Sequence, residues 1–182
     1  MRIRRYRPGD IPTLAHIQQR AAEADGVSPL SEADFEQWFS QPELQAESNV
    51  FLITDDDDDL NEWGNEWGQA GTLDGLEGEA VGYTVLQLRR SHHAYHFLCE
   101  GTVLPEHRRR GAGYSLLISA LNNVRMRIFE FEFEARQQEH AIYFEALLPA
   151  NDPASPNLAA LCELAPVDGQ TLPGMRLYRC EL

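Results

Sequence analysis

Lysine is absent from this chain: all 15 of its basic residues are arginines, set against 29 aspartates and glutamates, for a formal net charge of −14 over 182 residues. The average surface of such a chain repels a polyanion, which argues against nucleic acid as a partner. A cationic amine is attracted instead, although an acidic surface also serves solubility alone. No apolar run approaches the ~20 residues needed to cross a bilayer, and the opening Met1-Arg-Ile-Arg-Arg-Tyr6 is followed by no apolar signal-peptide core. A soluble, cytoplasmic protein without a membrane partner is therefore expected. Cysteine is scarce and odd in number. Cys99, Cys162 and Cys180 show no metal-ligand spacing, their odd number argues against a disulfide framework, and free, buried thiols are expected. With 43% apolar content the length suits a single domain over residues 1–182.

What is present concentrates in one run, Val103-Leu104-Pro105-Glu106-His107-Arg108-Arg109-Arg110-Gly111-Ala112-Gly113-Tyr114. Before it, the apolar residues of 97–104 read as a buried strand, and Pro105 ends its hydrogen-bond ladder. After it, apolar residues at 116, 117, 120, 121, 124 and 128 mark one buried face of a helix. Gly111 and Gly113 let the backbone approach a ligand closely and turn successive N–H groups into a shared concavity. Three arginines add bidentate donors for phosphate oxygens at a helix N-terminus. These features together form a pyrophosphate cradle. A dinucleotide-binding fingerprint would need a third glycine where Leu116 stands.

The pattern Arg108-x-x-Gly111-x-Gly113, preceded by Val103-x-Pro105 and followed by Leu116-Leu117, resembles the acyl-CoA motif of the GCN5-related N-acetyltransferase superfamily. The resemblance implies an α/β (α+β) fold, with a central mixed, mostly antiparallel sheet of six to seven strands, a V-shaped splay and about four flanking helices. It implies acetyl-CoA as cosubstrate, an amine acceptor and no metal. It assigns pyrophosphate contacts to Arg108, Arg109, Arg110, Gly111, Ala112 and Gly113, with Tyr114 beside them, and pantetheine or acetyl contacts to Thr102, Val103 and Leu104. Asn157-x-x-Ala160 resembles the opening of the family's next helix and adds Asn157 to the cofactor contacts.

The remaining elements follow from local signals. Residues 2–6 are a short strand, and Pro8-Gly9-Asp10 gives a turn and an N-cap for a helix over 11–24. Ser31 with Asp34 forms a capping box for a helix over 32–39. Strands at 50–54 and 80–88 are expected to pair as an antiparallel hairpin. Between them, residues 55–79 carry ten acidic residues and no basic one, and repeat Asn-Glu-Trp-Gly at 61–64 and 65–68. This segment reads as an expanded loop, either a flap over a cationic acceptor or an insertion without catalytic role. His92, His93 and His96 read as a solvated turn rather than a metal site. The run Phe129-Glu-Phe-Glu-Phe-Glu has period two within a helical context, and the expectation is a helix reaching Gln138, a strand over 141–148, a helix over 157–164 and a last strand over 175–180.

Acetyl transfer requires a neutral amine, a polarised thioester carbonyl and a proton for the leaving thiol. A backbone N–H near Val103 or Leu104 is the expected polarising group. Glu100 is positioned to deprotonate the ammonium directly or through water, and the alternative for it is an ion pair with arginine or exposure to solvent. The family's usual tyrosine general acid is replaced by the Cys162-Glu163-Leu164 stretch, which leaves Tyr143, Cys162 or a water for that role. Three readings stay open: an active N-acetyltransferase, a degenerate CoA-binding domain similar to one half of a tandem protein, and an interaction module using the acidic loop. Apolar residues on the last strands are candidates for pairing in a homodimer.

Overall fold

A computed structural model describes residues 1–55, 78–169 and 173–182. The acidic segment, with Trp63 and Trp67, lies outside them except at its two ends. Strand β1 (Arg2–Arg5) leads through a 3-10 turn at Pro8–Asp10 into helices α1 (Ile11–Asp25), α2 (Glu32–Phe39) and the single turn α3 (Ala46–Asn49). Strands β2 (Val50–Asp55), β3 (Glu79–Arg90) and β4 (Ala94–Val103) follow, then α4 (Ala112–Gln138), β5 (Ala141–Pro149), α5 (Ser155–Leu161), β6 (Ala165–Pro166) and β7 (Met175–Glu181). The seven strands form one sheet in the order β1-β2-β3-β4-β5-β7-β6. Every neighbouring pair is antiparallel except β4–β5. Among the described residues there are five helices rather than four, because the single turn α3 is too short to show an amphipathic period.

Strand alternation sorts side chains between the two faces of the sheet. Phe97, Cys99, Phe144 and Ala146 point to the face covered by α4, where they meet Leu117, Leu121 and Val124. Tyr83 and Val85 point to the other face, against Leu14 and Ile17 of α1 and Phe35 of α2. Farther along that face, Leu98 of β4, Leu147 of β5 and Leu177 of β7 form a small cluster of their own. The ambiguous Phe-Glu run is helical. At 3.6 residues per turn, Phe131 turns inward onto Tyr95 and Phe97 while Phe129 and Phe133 turn outward. α5 is shorter than the apolar spacing suggested, ending at Leu161. Glu163 adopts a left-handed φ of 61°, and the Leu164 N–H closes on Ala159 O, a helix-terminating geometry.

Two other local readings are revised. Asp10 does not cap α1 with its side chain; its carboxylate accepts both terminal nitrogens of Arg4 at 2.8 Å and the Arg7 N–H at 2.7 Å. His96 is not in a solvated turn. It is half-buried on β4, its Nδ1 3.0 Å from Glu145 Oε1, with only His92 and His93 left in the turn.

Gly101 marks the tightest approach in the sheet, since a Cβ there would lie 2.3 Å from Tyr83 O and 2.8 Å from Thr84 Cα, both backbone atoms of β3. Gly101→Ala is therefore expected to destabilise the fold by about 1–3 kcal/mol, the usual cost of overpacking. Gly9→Ala, with open space around the added methyl, is expected to stay within about 0.5 kcal/mol of wild type; urea unfolding of the two variants compares them. The Asp10 carboxyl is held below its ordinary value of 3.8, where the Arg4 and Arg7 donors outweigh the opposing effect of burial. A carboxyl lowered in the folded state contributes stability above its unfolded pKa and loses it as pH falls through the folded one. Thermal unfolding measured from pH 5 down to pH 2 is expected to show a shallower acid loss in Asp10→Asn than in wild type.

Candidate functional site

β4 and β5 stay paired only as far as Cys99 and Ala146. Past that point residues 100–103 keep only β3 as a neighbour, and residues 147–149 only β7. The strands thus splay, and the gap is a cleft of about 320 Å³. Thr84, Cys99, Gly101, Thr102 and Val103 line one wall, residues 146–149 the other, and Ser155, Asn157, Leu158 and Leu161 contribute from α5. At the mouth stand Arg108, Arg109, Gly111, Gly113 and Tyr114. In an antiparallel ladder alternate residues bond the same neighbour. The Leu104 N–H donates to Val81 O at 2.8 Å, so Leu104 and Thr102 are committed to β3, while Gly101 and Val103 turn their main-chain groups toward the gap. The Val103 carbonyl accepts Arg108 Nε at 3.0 Å.

The turn before α4 leaves a row of donors. His107 N–H bonds Leu104 O, Arg108 N–H bonds Pro105 O, and the first bond into α4 is Ser115 N–H to Gly111 O at 2.9 Å. Between them the main-chain N–H groups of residues 109–114 find no well-formed hydrogen bond among the described residues. Gly111 holds φ at +90°, a backbone conformation that L side chains rarely adopt, with open space where a Cβ would stand. Leu104 and Ala112 are buried in the core at either end of the turn and fix its path.

The three arginines differ in what they do. Arg108 makes a bidentate ion pair with Asp25 at the end of α1, at 2.7 and 2.9 Å, in addition to its bond to Val103. Arg109 reaches Asp152, 2.5 Å away, and that same carboxylate accepts the Ala154 N–H. Arg110 is exposed and has no ion pair among the described residues. Positive charge therefore surrounds the cradle, but two of the three side chains also lock its shape.

The expected catalytic residues are placed unequally. Glu100 shares the parity of Leu98, on the face away from α4, next in sequence to the cleft-lining Gly101. No ion pair or side-chain hydrogen bond holds its carboxylate among the described residues. Burial raises its pKa above the ordinary 4.5, and the weaker opposing influence of Arg89 does not offset this. Tyr143 is three residues short of the splay, on the same face, beneath Arg179 with 4.5 Å from guanidinium carbon to ring centroid and beside His96. Cys162 is buried under α4, its thiol pushed up to about 11 by burial. None of the three, Glu100 included, lines the cleft itself. Cleft residues that sequence reasoning passed over are Tyr83, whose hydroxyl donates to Gln18 at 2.7 Å, and Thr84 and Cys99, whose Oγ1 and Sγ lie 3.0 Å apart. Burial pushes the Cys99 thiol up to about 12. A glycine inside a strand was the available signal for Gly101; the other three needed the register. Among the described residues no three His, Cys, Asp or Glu side chains converge as a metal site, and no helix is long and apolar enough to cross a membrane.

No protein-family model and no curated protein sequence matches the chain. Solved structures do. A GCN5-related N-acetyltransferase from Sphaerobacter thermophilus superposes with a TM-score of 0.65 at 19% identity over 91% of this chain, which spans only 44% of that protein's length. The ribosomal-protein-S18-alanine N-acetyltransferase of Escherichia coli gives a TM-score of 0.56 at 17% identity, with 99% and 92% of the two chains covered. A phosphinothricin acetyltransferase from Sinorhizobium meliloti, in complex with acetyl-CoA, gives 0.60 at 18% identity, with 100% and 88% covered. With its seven-stranded mixed sheet, its splay after Cys99 and its glycine turn into α4, the chain has the fold of the GCN5-related N-acetyltransferases.

Proposed function

We propose that the chain binds acetyl-CoA in the cleft and transfers the acetyl group to a primary amine of a small molecule or peptide, by direct attack in a ternary complex. The observation that carries this reading is the row of N–H donors over residues 109–114 at the mouth of a cleft that parts β4 from β5. Such a row fits a pyrophosphate, an anion too large for one donor. When bound, acetyl-CoA supplies the activated acyl group. Residues 109–114 hold the diphosphate through main-chain N–H groups, Arg110 adds charge, and Arg108 and Arg109 hold the turn in shape through Asp25 and Asp152. Main-chain groups of Gly101 and Val103, freed by the splay, orient the pantetheine arm and polarise the reacting carbonyl, while Asn157 on α5 faces the arm from the opposite wall. The amine approaches from the face that carries Glu100, whose unpaired carboxylate takes the ammonium proton. The thiol leaves without help from Tyr143 or Cys162, both outside the cleft; a pKa of roughly 8.5 makes it a tolerable leaving group.

A second reading has its own support. The residues expected to replace the usual general acid, Tyr143 and Cys162, lie outside the cleft, and the Sphaerobacter protein is more than twice the length of this chain, so a CoA-binding domain serving a larger assembly is the alternative.

Titration calorimetry with acetyl-CoA and a thiol-release assay over an amine panel separate the two. Saturable binding with turnover supports the first reading, binding without turnover the second, and no heat at about 1 mM ligand defeats both. Gly111→Ala is expected to weaken acetyl-CoA binding about tenfold, since it strains a left-handed φ in the turn that aligns the donors. Glu100→Gln is expected to lower kcat about 100-fold or more with acetyl-CoA affinity nearly unchanged. Because the Glu100 carboxyl is raised, the active, ionised base accumulates only above pH 4.5. The acid limb of the kcat/KM profile should lie above that pH and vanish in Glu100→Gln.

A further inference from the structure

We propose that the acceptor is a zwitterion, a free α-amino acid whose ammonium meets Glu100 and whose carboxylate meets Arg89. The proposal rests on acetyl transfer beside Glu100 and narrows its acceptor. β3 and β4 pair Val85 with Glu100 and Gln87 with Leu98, and alternation sets all four side chains on the face away from α4. Val85 and Leu98 are buried, whereas Gln87 and Glu100, on the diagonal between them, are half-exposed. Diagonal partners on an antiparallel pair stand about 7–8 Å apart. Arg89, two residues beyond Gln87 on the same face, is exposed and folds back along β3, its Nε and Nη2 donating to Gln87 Oε1 at 3.3 and 3.1 Å. The glutamine thereby holds the guanidinium over its own corner, one diagonal step from Glu100.

Charge and reach select the ligand. Arg89 has no ion pair among the described residues, and its Nη1 finds no acceptor among them. Farther along the same face Glu145 and Arg179 are bonded to each other, and Glu181 stands three strands from Arg89, about 14 Å away. The strip nearest the splay therefore carries one unpaired anion and one unpaired cation, in a chain whose net charge of −14 would by itself favour a cationic acceptor. A plain amine leaves Arg89 unused. An α-amino acid with a charge-assisted bond of about 2.8 Å at each end spans roughly 8 Å, the length of the diagonal. The polarity along the strand also agrees: β4 runs from His96, opposite Arg89, through Leu98 to Glu100 and on into the residues that part from β5. The ammonium end thus lies beside the splay and the carboxylate end away from it. Arg89 is close enough to pull the Glu100 carboxyl down against its burial. A peptide N-terminus, whose first α-carboxyl is an amide, offers that guanidinium no main-chain anion.

Kinetics on matched acceptors test this, with a set of neutral free α-amino acids compared against the carboxamide and the decarboxylated amine of each. The acids are expected to exceed both about 30-fold in kcat/KM, within the range of a hydrogen bond to a charged group. Arg89→Gln is expected to raise KM for the acids about 30-fold with a much smaller change in kcat, and so to abolish the preference. Arg89→Glu is expected to reverse it in favour of an α,ω-diamine such as putrescine, a change that loss of structure would not produce. A wild-type preference for carboxamides or plain amines overturns the proposal and leaves acetyl transfer standing. An acid preference that survives Arg89→Gln overturns it too. Where no acceptor turns over, calorimetry of the same acids with the protein, with and without CoA, decides. Saturable heat that weakens in Arg89→Gln supports the zwitterion site, and no heat up to about 10 mM overturns it. The acetyl-CoA titration of the same samples keeps this outcome separate from that of the proposed function.

Discussion

The parting of β4 from β5 after Cys99 and Ala146 is the constraint on which the site depends. These are the only parallel neighbours among the described strands, and a parallel pair must be joined by a crossover, here the long helix α4. Ending their ladder early releases main-chain groups that a continued sheet would have consumed, and buried backbone groups must find partners elsewhere. One partner is internal: Arg108 takes the Val103 carbonyl. The rest is left to whatever fills the cleft. Gly101 belongs to the same constraint. It lies so close to β3 that the first unpaired residues of β4 are held against that strand, and the gap opens on the β5 side.

The turn into α4 resolves a difficulty that charge alone leaves open. In a chain of net charge −14, three consecutive arginines form a local exception, yet Arg108 and Arg109 are engaged with Asp25 and Asp152. Their contribution is mainly shape. Asp25 ends α1 and Asp152 precedes α5, so the two ion pairs tie the turn to helices on either side of it. The donors that remain free are peptide N–H groups and the Arg110 side chain. Peptide donors lose no side-chain entropy on binding, so an anion meets a site that is already ordered.

The motif was legible because its physics is local: a proline that stops a strand, glycines that clear a concavity and an amphipathic helix that follows. The strands other than the two-residue β6, the capping box at Ser31 and Asp34 and the extent of α4 were legible for the same reason. What required the fold was parity. A sequence does not say on which face of a strand Tyr143 lies, and a shift of one residue would have moved it to the other side. Cys162 looked adjacent to a thioester because it follows the Asn157 opening, but the helix ends at Leu161 and delivers the thiol to the core. His96 looked like part of a turn because two histidines precede it; pairing with β5 turned it toward Glu145. The Phe-Glu run carried two periods at once, and the helix separates them by sending one phenylalanine inward and two outward.

Pairing also distinguishes two carboxylates that lie on the face away from α4. Glu145 on β5 is almost fully buried, but it meets His96 Nδ1 at 3.0 Å and Arg179 Nε at 2.7 Å, and Tyr143 packs over that same guanidinium. A buried carboxylate held by an arginine and an imidazole is a structural tie; removing the arginine leaves its charge uncompensated. Glu100 lies nearer the splay on the same face and has no such donors, only the distant field of Arg89. Holding a desolvated carboxylate without a partner is costly, and a fold that could have paired it as it paired Glu145 leaves it open where the strands part. That contrast, rather than the residue type, is what supports the proposal that Glu100 serves proton transfer. The charged groups of the cluster around Tyr143 are already engaged with one another, Glu145 with both His96 and Arg179.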